Sequence, residues 1–253
     1  MARDRDLGDE PPPGWRDEAP DLRAPIDPGA PVSGHRASSG GPAAADSPEQ
    51  DWLAAEASLM PILRPVGSGG TRLAEIDPVR LVAEGLRSHA QPVVDDGPCE
   101  LVVAYVLRAY AFDVLVNADH LLAWGATPAE LRGAAMANLA SWSAEAPWTD
   151  EVSGHRRLVS SASGDGGDAA RILLPEVRRH LVDELGLGVR VLVGIPERDL
   201  LIAGALYAGD EEFGALFAEF VRGHADGSDQ PLDRRVFEIV DGELRIFADP
   251  GVP

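Results

Sequence analysis

The chain has no lysine; all 22 of its basic residues are arginine. Without a lysine amine there is neither Schiff-base chemistry on that side chain nor the P-loop lysine that reaches a nucleotide's phosphates. Cysteine occurs once, at Cys99, which excludes an intrachain disulfide and any CxxC metal or redox site. Positive charge is scarce beside 42 acidic residues, and a formal net charge of −20 repels nucleic-acid backbones and anionic lipid at long range. No nucleic acid and no membrane is therefore expected as a partner. No apolar run approaches the roughly 18 residues of a membrane-spanning helix. The N-terminal MARDRDLGDEPPPGW carries charge and proline where a secretory signal needs an apolar centre. These absences predict a cytoplasmic protein in a reducing compartment.

Catalytic signatures are missing too. His35, His89, His120, His155, His180 and His224 stand far apart, with no HExxH pair. No GxSxG nucleophile elbow occurs, and Ser68 in GSGG sits in an expected loop. No metal and no cofactor is expected.

What is present is a globular composition, 45% apolar over 253 residues, enough for a core. Residues Met1 to about Gln50 are rich in Pro, Gly, Asp, Glu and Ser without apolar period, so a disordered tail is expected there. Trp15 in it is either a lone recruitment anchor or part of a dispensable extension. A single domain is expected over 51–253.

Within that domain the spacing predicts a short helix and then an extended segment in DWLAAEASLMPILRP. Asp77 should cap a helix starting at Pro78, with Val79, Val82, Ala83 and Leu86 facing a sheet. LVVAYVL, Leu101–Leu107, reads as a central strand hairpinned with Phe112–Val116, and Cys99 before it as an inert buried thiol. TPAE at Thr127–Glu130 starts a capping-box helix to about Trp142. Asn138 lies close to its apolar face and needs a partner there, either a neighbouring loop or a ligand. Glu145–Asp150 reads as loop, and Arg156–Ser161 as a strand.

The densest stretch runs from Gly164 to Leu206. In the Gly164-Asp165-Gly166-Gly167-Asp168 loop, glycines before a helix can admit a phosphate, but Asp165 and Asp168 oppose an anion, so Asp168 is expected to cap the helix. Leu173, Val177, Leu181 and Leu185 repeat at one turn each, and Pro175 marks either the helix start or a kink. Gly186 and Gly188 end it. The strands VRVLVGI and LLIAGAL flank a Pro196-Glu197-Arg198-Asp199 corner, where Arg198 forms an ordinary solvated pair with a neighbour or displays a binding group. Phe213, Leu216, Phe217, Phe220 and Val221 mark an amphipathic helix with His224 near its end, and VFEIV-DG-ELRIF is a hairpin.

Five stretches in order, LMPILRP, LVVAYVL, ELRGAAMANL, DAARILL and VGIPERDLLI, resemble the bacterial family called domain of unknown function 1444, the UPF0354 proteins. The resemblance covers about Leu59 to Phe247. It implies a fold and an order of motifs, and it brings no catalytic residues. The resulting expectation is an α+β domain with a largely antiparallel sheet and helices packed on it. Its function is read as a non-catalytic binding or protein-interaction module with a protein or small-molecule partner. The alternative is a small hydrolase or transferase built from the polar members of these motifs. The candidate binding residues are Asn138, Asp168, Arg171, Glu197, Arg198 and Asp199.

Overall fold

The computed structural model of the protein describes residues 48–84, 90–108 and 112–247. The expectations for the tail before Pro48, for Leu86 and for His89 lie outside the described residues. Placed chain begins slightly ahead of Asp51, because residues 48–50 form a turn whose Pro48 carbonyl accepts from Trp124 Nε1 at 2.9 Å.

The Asp51 carboxylate accepts from the Leu53 N–H and opens α1 (Trp52–Glu56). Two prolines then favour extension, giving β1 (Leu59–Arg64). After β2 (Thr71–Arg72), Asp77 Oδ1 accepts from the Val79 N–H at 2.9 Å at the start of α2 (Pro78–Glu84). Next come β3 (Val93–Asp96), β4 (Val102–Leu107), β5 (Val114–Leu115) and α3 (Ala118–Trp124). The expected stripe of α2 is not its buried one: Val79 and Val82 are 78% and 69% exposed, while Leu81 is buried. The reason is the neighbour. α2 packs beside α3 and not on a sheet, so the side that meets α3 decides burial.

These strands form a five-stranded sheet in the order β1-β4-β3-β2, with β5 paired to β4; it is antiparallel except for β2 with β3. The fully buried β4 is central, as its unbroken apolar run predicts. Cys99 precedes it in a tight 3-10 turn with left-handed φ of 52°. Its thiol donates to the Leu244 carbonyl at 3.3 Å, and burial pushes its pKa up, which depletes the reactive thiolate.

In α4 (Pro128–Glu145) Thr127 and Glu130 cap each other's backbone N–H groups, as the sequence predicts. The helix lies along β1. The expected loop after it contains a strand, β6 (Thr149–Ser153), every residue of which is exposed. It pairs with β7 (Arg156–Ser161). A 3-10 turn at Ala169–Leu173 follows, and Pro175 occupies the first turn of α5 (Pro175–Leu185), where a missing N–H costs nothing. Then β8 (Arg190–Glu197) and β9 (Leu200–Leu206) form a hairpin, α6 (Glu211–Gly227) crosses back, and β10 (Phe237–Val240) and β11 (Glu243–Ile246) close through Asp241 and Gly242, both at positive φ.

These six strands make a second, wholly antiparallel sheet in the order β11-β10-β8-β9-β7-β6. The α+β fold with mostly antiparallel pairing is thus present, with two sheets where the sequence suggests one. Strand residues of both, Ala104 and Val193 among them, share one continuous buried cluster with α5. The other face of the six-stranded sheet has its own smaller cluster, built under α6. Gly194 and Gly204 allow that helix to sit close: a Cβ at Gly194 would lie 2.4 Å from Val221 Cγ2, and one at Gly204 would lie 2.8 Å from the Phe213 ring.

Candidate functional site

Of the six residues singled out by the sequence, Asp168 and Arg171 come together in the interior. Asp168 has no exposed surface and caps no helix. Its own backbone is already helical, so its carboxylate cannot fold over the next turn; it accepts instead from the Ser161 hydroxyl, from Ser163 Oγ at 2.7 Å and from the Ser163 N–H at 3.0 Å. Ser161 Oγ also accepts from Arg171 Nη1 at 2.6 Å, so one hydroxyl bridges the buried anion and the buried cation.

Arg171 is 1% exposed. Its Nε donates to Ser143 Oγ and its Nη2 to the Ser143 carbonyl, both at 2.9 Å, with the Ala146 and Pro147 carbonyls farther out. These carbonyls belong to the last turn of α4 and the residues after it, which the helix itself leaves unpaired, and a cation is favoured there by the helix dipole. The guanidinium lies over the Trp148 ring, 3.8 Å from its centroid. Burial pushes the Arg171 pKa down to about 10, opposed by Asp168, so the side chain is a cation at neutral pH. The pair therefore fastens the end of α4 to the six-stranded sheet. Ser161 has no exposed surface, which puts its hydroxyl out of reach of a substrate.

Asn138 sits apart, donating to the Glu56 and Leu59 carbonyls at 2.7 and 2.9 Å, the neighbouring-loop role among its two expected ones. Glu197 lies 4.0 Å from His224 Nδ1. Arg198 has partners far away in sequence, not the expected adjacent carboxylate: it pairs with Asp113 and donates from Nε to the Gly166 carbonyl at 2.9 Å. Gly166 is required here, because it has a φ of 71° and a Cβ would press on the guanidinium at 2.7 Å. The Arg198 carbonyl also accepts from the Ala169 N–H at 3.1 Å, which locks the corner to the glycine loop. Arg198 and Asp199 border a shallow cavity of about 250 Å³ with Asp113, Asp165 and Gln230. Nearby, Arg108 Nε and Nη2 are buried without hydrogen bonds, and burial lowers the pKa of that guanidinium. The six residues thus divide among an interior network, a strand-to-helix tie, a helix contact and a surface corner. They converge on no common pocket.

An open apolar groove lies elsewhere. α6 covers the middle of the outer face of its sheet, leaving a groove of about 380 Å³ between the helix and the β6–β7 hairpin. Leu158, Ile202, Phe213 and Phe217 line it, with Leu216 and Phe220 on the helix side and Glu151 on the strand side. Leu216 and Phe220 keep 49% and 40% of their surface exposed. One end is closed by Arg156, which donates to Asp210 Oδ1 at 2.8 Å and to Glu212 at 2.7 Å. The Arg156 hydrogen bonds hold the Asp210 carboxyl down to about 2, with smaller contributions from His155 and the Phe213 N–H. In the sequence all five apolar residues mark this helix simply as amphipathic. Yet at 100° per residue they span an arc of about 140°, wider than one contact face needs. That excess width was the available signal.

No helix among the described residues is long and apolar enough to cross a membrane. Comparison with protein-family models, with curated proteins and with solved structures finds no match to the chain.

Proposed function

We propose that the chain is a non-catalytic protein-interaction module that binds its partner in the groove beside α6. One observation carries this reading: Asn138, Asp168, Arg171 and Arg198 are bonded within the fold, whereas Leu216 and Phe220 remain exposed beside an apolar floor. Apolar side chains arranged around an open groove, with charged residues at its margin, are what a protein partner desolvates on binding. A hydrolase or transferase site built on Asp168 and Arg171 would need them to meet a substrate, and both are sealed. The resemblance to the UPF0354 proteins brings no activity with it and weighs on neither side.

The test compares three forms of the full chain in cross-linked capture from its own cells: the wild type, the double variant Leu216→Asp with Phe220→Asp, and Arg198→Ala. A partner retained by Arg198→Ala and lost from the double variant supports the groove. A partner lost only from Arg198→Ala moves the site to the corner. Turnover of ester, amide or phosphoester substrates that disappears in Asp168→Asn would overturn the non-catalytic reading.

A further inference from the structure

The groove also has a charge and a backbone pattern that narrow its occupant. Resting on the interaction-module reading, we infer that it takes a basic amphipathic helix from a partner protein, laid beside α6 on the β6–β7 hairpin.

Dimensions set the first condition. Six strands spaced about 4.8 Å apart present a face about 24 Å wide, and one helix of about 10 Å diameter covers less than half of it. α6 packs on β8 and β9 at the centre, so a second helix fits on the hairpin side. Leu216 and Phe220, one turn apart, form the ridge it would meet, and Leu158 and Ile202 form the floor.

Backbone satisfaction sets the second. A bound strand needs free N–H and C=O groups, but β7 beneath the groove is already paired to β6 on one side and β9 on the other, and the free edge of β6 lies in the sheet plane, where a strand would sit beside the groove and not in it. A helix satisfies its own backbone and asks only for apolar contact.

Charge sets the third. Glu219, three residues after Leu216, flanks the exposed ridge on its solvent side, and Glu151 stands on the opposite wall; both are exposed and neither has an ion-pair partner among the described residues. Arg156, the cation at the rim, is already shared between Asp210 and Glu212. A second copy of this chain would bring the same acidic rim and a net charge of −20 against itself. Arginine or lysine flanking the apolar stripe of a partner helix complements the rim instead.

The experiment displays a library of helices about four turns long, with a fixed Leu/Phe stripe at i, i+3, i+4 and i+7 and a randomised polar face. It is selected against the full chain and against Leu216→Asp with Phe220→Asp, whose folding is checked by circular dichroism. The expected result is an enriched pool with net positive charge, not enriched on the double variant. Its members should bind Glu151→Arg with Glu219→Arg about tenfold more weakly at low salt. A groove-dependent pool that is neutral or acidic overturns the basic helix and leaves the interaction module standing. If no helix is enriched but sedimentation shows a dimer abolished by Leu216→Asp, a second copy fills the groove and the basic helix is again overturned. Absence of both overturns the interaction reading together with this one.

Discussion

Two neighbouring rows of residues cross the six-stranded sheet from edge to edge, and they serve different ends. On the inner face the row is Asp150, Val159, Ala203, Val193, Phe237 and Ile246; one residue along, on the outer face, it is Glu151, Leu158, Gly204, Leu192, Glu238 and Arg245. The inner row is apolar through its four central positions and joins the cluster shared with α5 and the other sheet. The outer row has a glycine in the middle, where Phe213 of α6 rests, and Leu158 beside it at the groove. Inside, the buried pair Asp168 and Arg171 is bonded to serines and backbone carbonyls, and those bonds leave nothing for a ligand. Outside, one helix covers a face wide enough for two, and what it leaves open is the groove proposed to bind. Burial of a charged motif is thus an argument for architecture, and incomplete cover is an argument for binding.

The largest test of this contrast is on the inner face. Arg171→Leu removes the cation from Ser161 Oγ and from the carbonyls at the end of α4, leaving Asp168 buried without its nearby cation; a loss of about 3–5 kcal/mol in urea unfolding is expected. A loss below about 1 kcal/mol would show that the interior network is not structural. On the outer face, Gly194→Ala drives a methyl into Val221 and should cost about 1–3 kcal/mol. Hydrogen exchange should then quicken in α6 more than in α5, and equal quickening would break the distinction between the faces. Leu216→Asp and Phe220→Asp, at exposed positions, should each change stability by no more than about 0.5 kcal/mol. A larger loss would mean that the groove wall is core.

The smallest effect is an acid one. The Asp210 carboxyl titrates near 2 in the fold, against about 3.9 for a free aspartate. The Arg156 bond therefore stabilises the native state above about pH 4, and that contribution fades as pH falls through about 2. The stability gap between wild type and Asp210→Asn, read by urea unfolding, should narrow from pH 5 to pH 2.5. A gap independent of pH would remove Asp210 from the acid response.

Local chemistry was legible in the sequence wherever it decides structure locally. The Thr127–Glu130 capping box, the Asp241-Gly242 turn and the buried run of β4 each depend on residues a few positions apart; for Pro175 the sequence left a helix start or a kink open, and the start is what forms. Asn138 announced itself as a polar group on an apolar face, and its two carbonyl partners answer that need. What stayed hidden was set by distant chain. Asp168 reads as a cap until Arg171 is seen to bridge from Ser161 to Ser143, 28 residues upstream. Arg198 reads as a solvated corner until Asp113, 85 residues earlier, meets it. The exposed side of α2 and the open flank of α6 depend on which neighbour lies beside them, and a helical period alone cannot specify a neighbour.

β6 was hidden for a different reason, and its composition has a use. A strand reading TDEVS, exposed at all five residues, has too little apolar alternation to be recognised as a strand. It is nonetheless the outermost strand on one side of the sheet, and β11, with Glu243 and Arg245 exposed, is the outermost on the other. An unpaired strand edge is a template on which another chain can add itself and begin an aggregate. Charged side chains at both edges of this sheet make that addition costly, which sets its rims apart from the apolar strands between them.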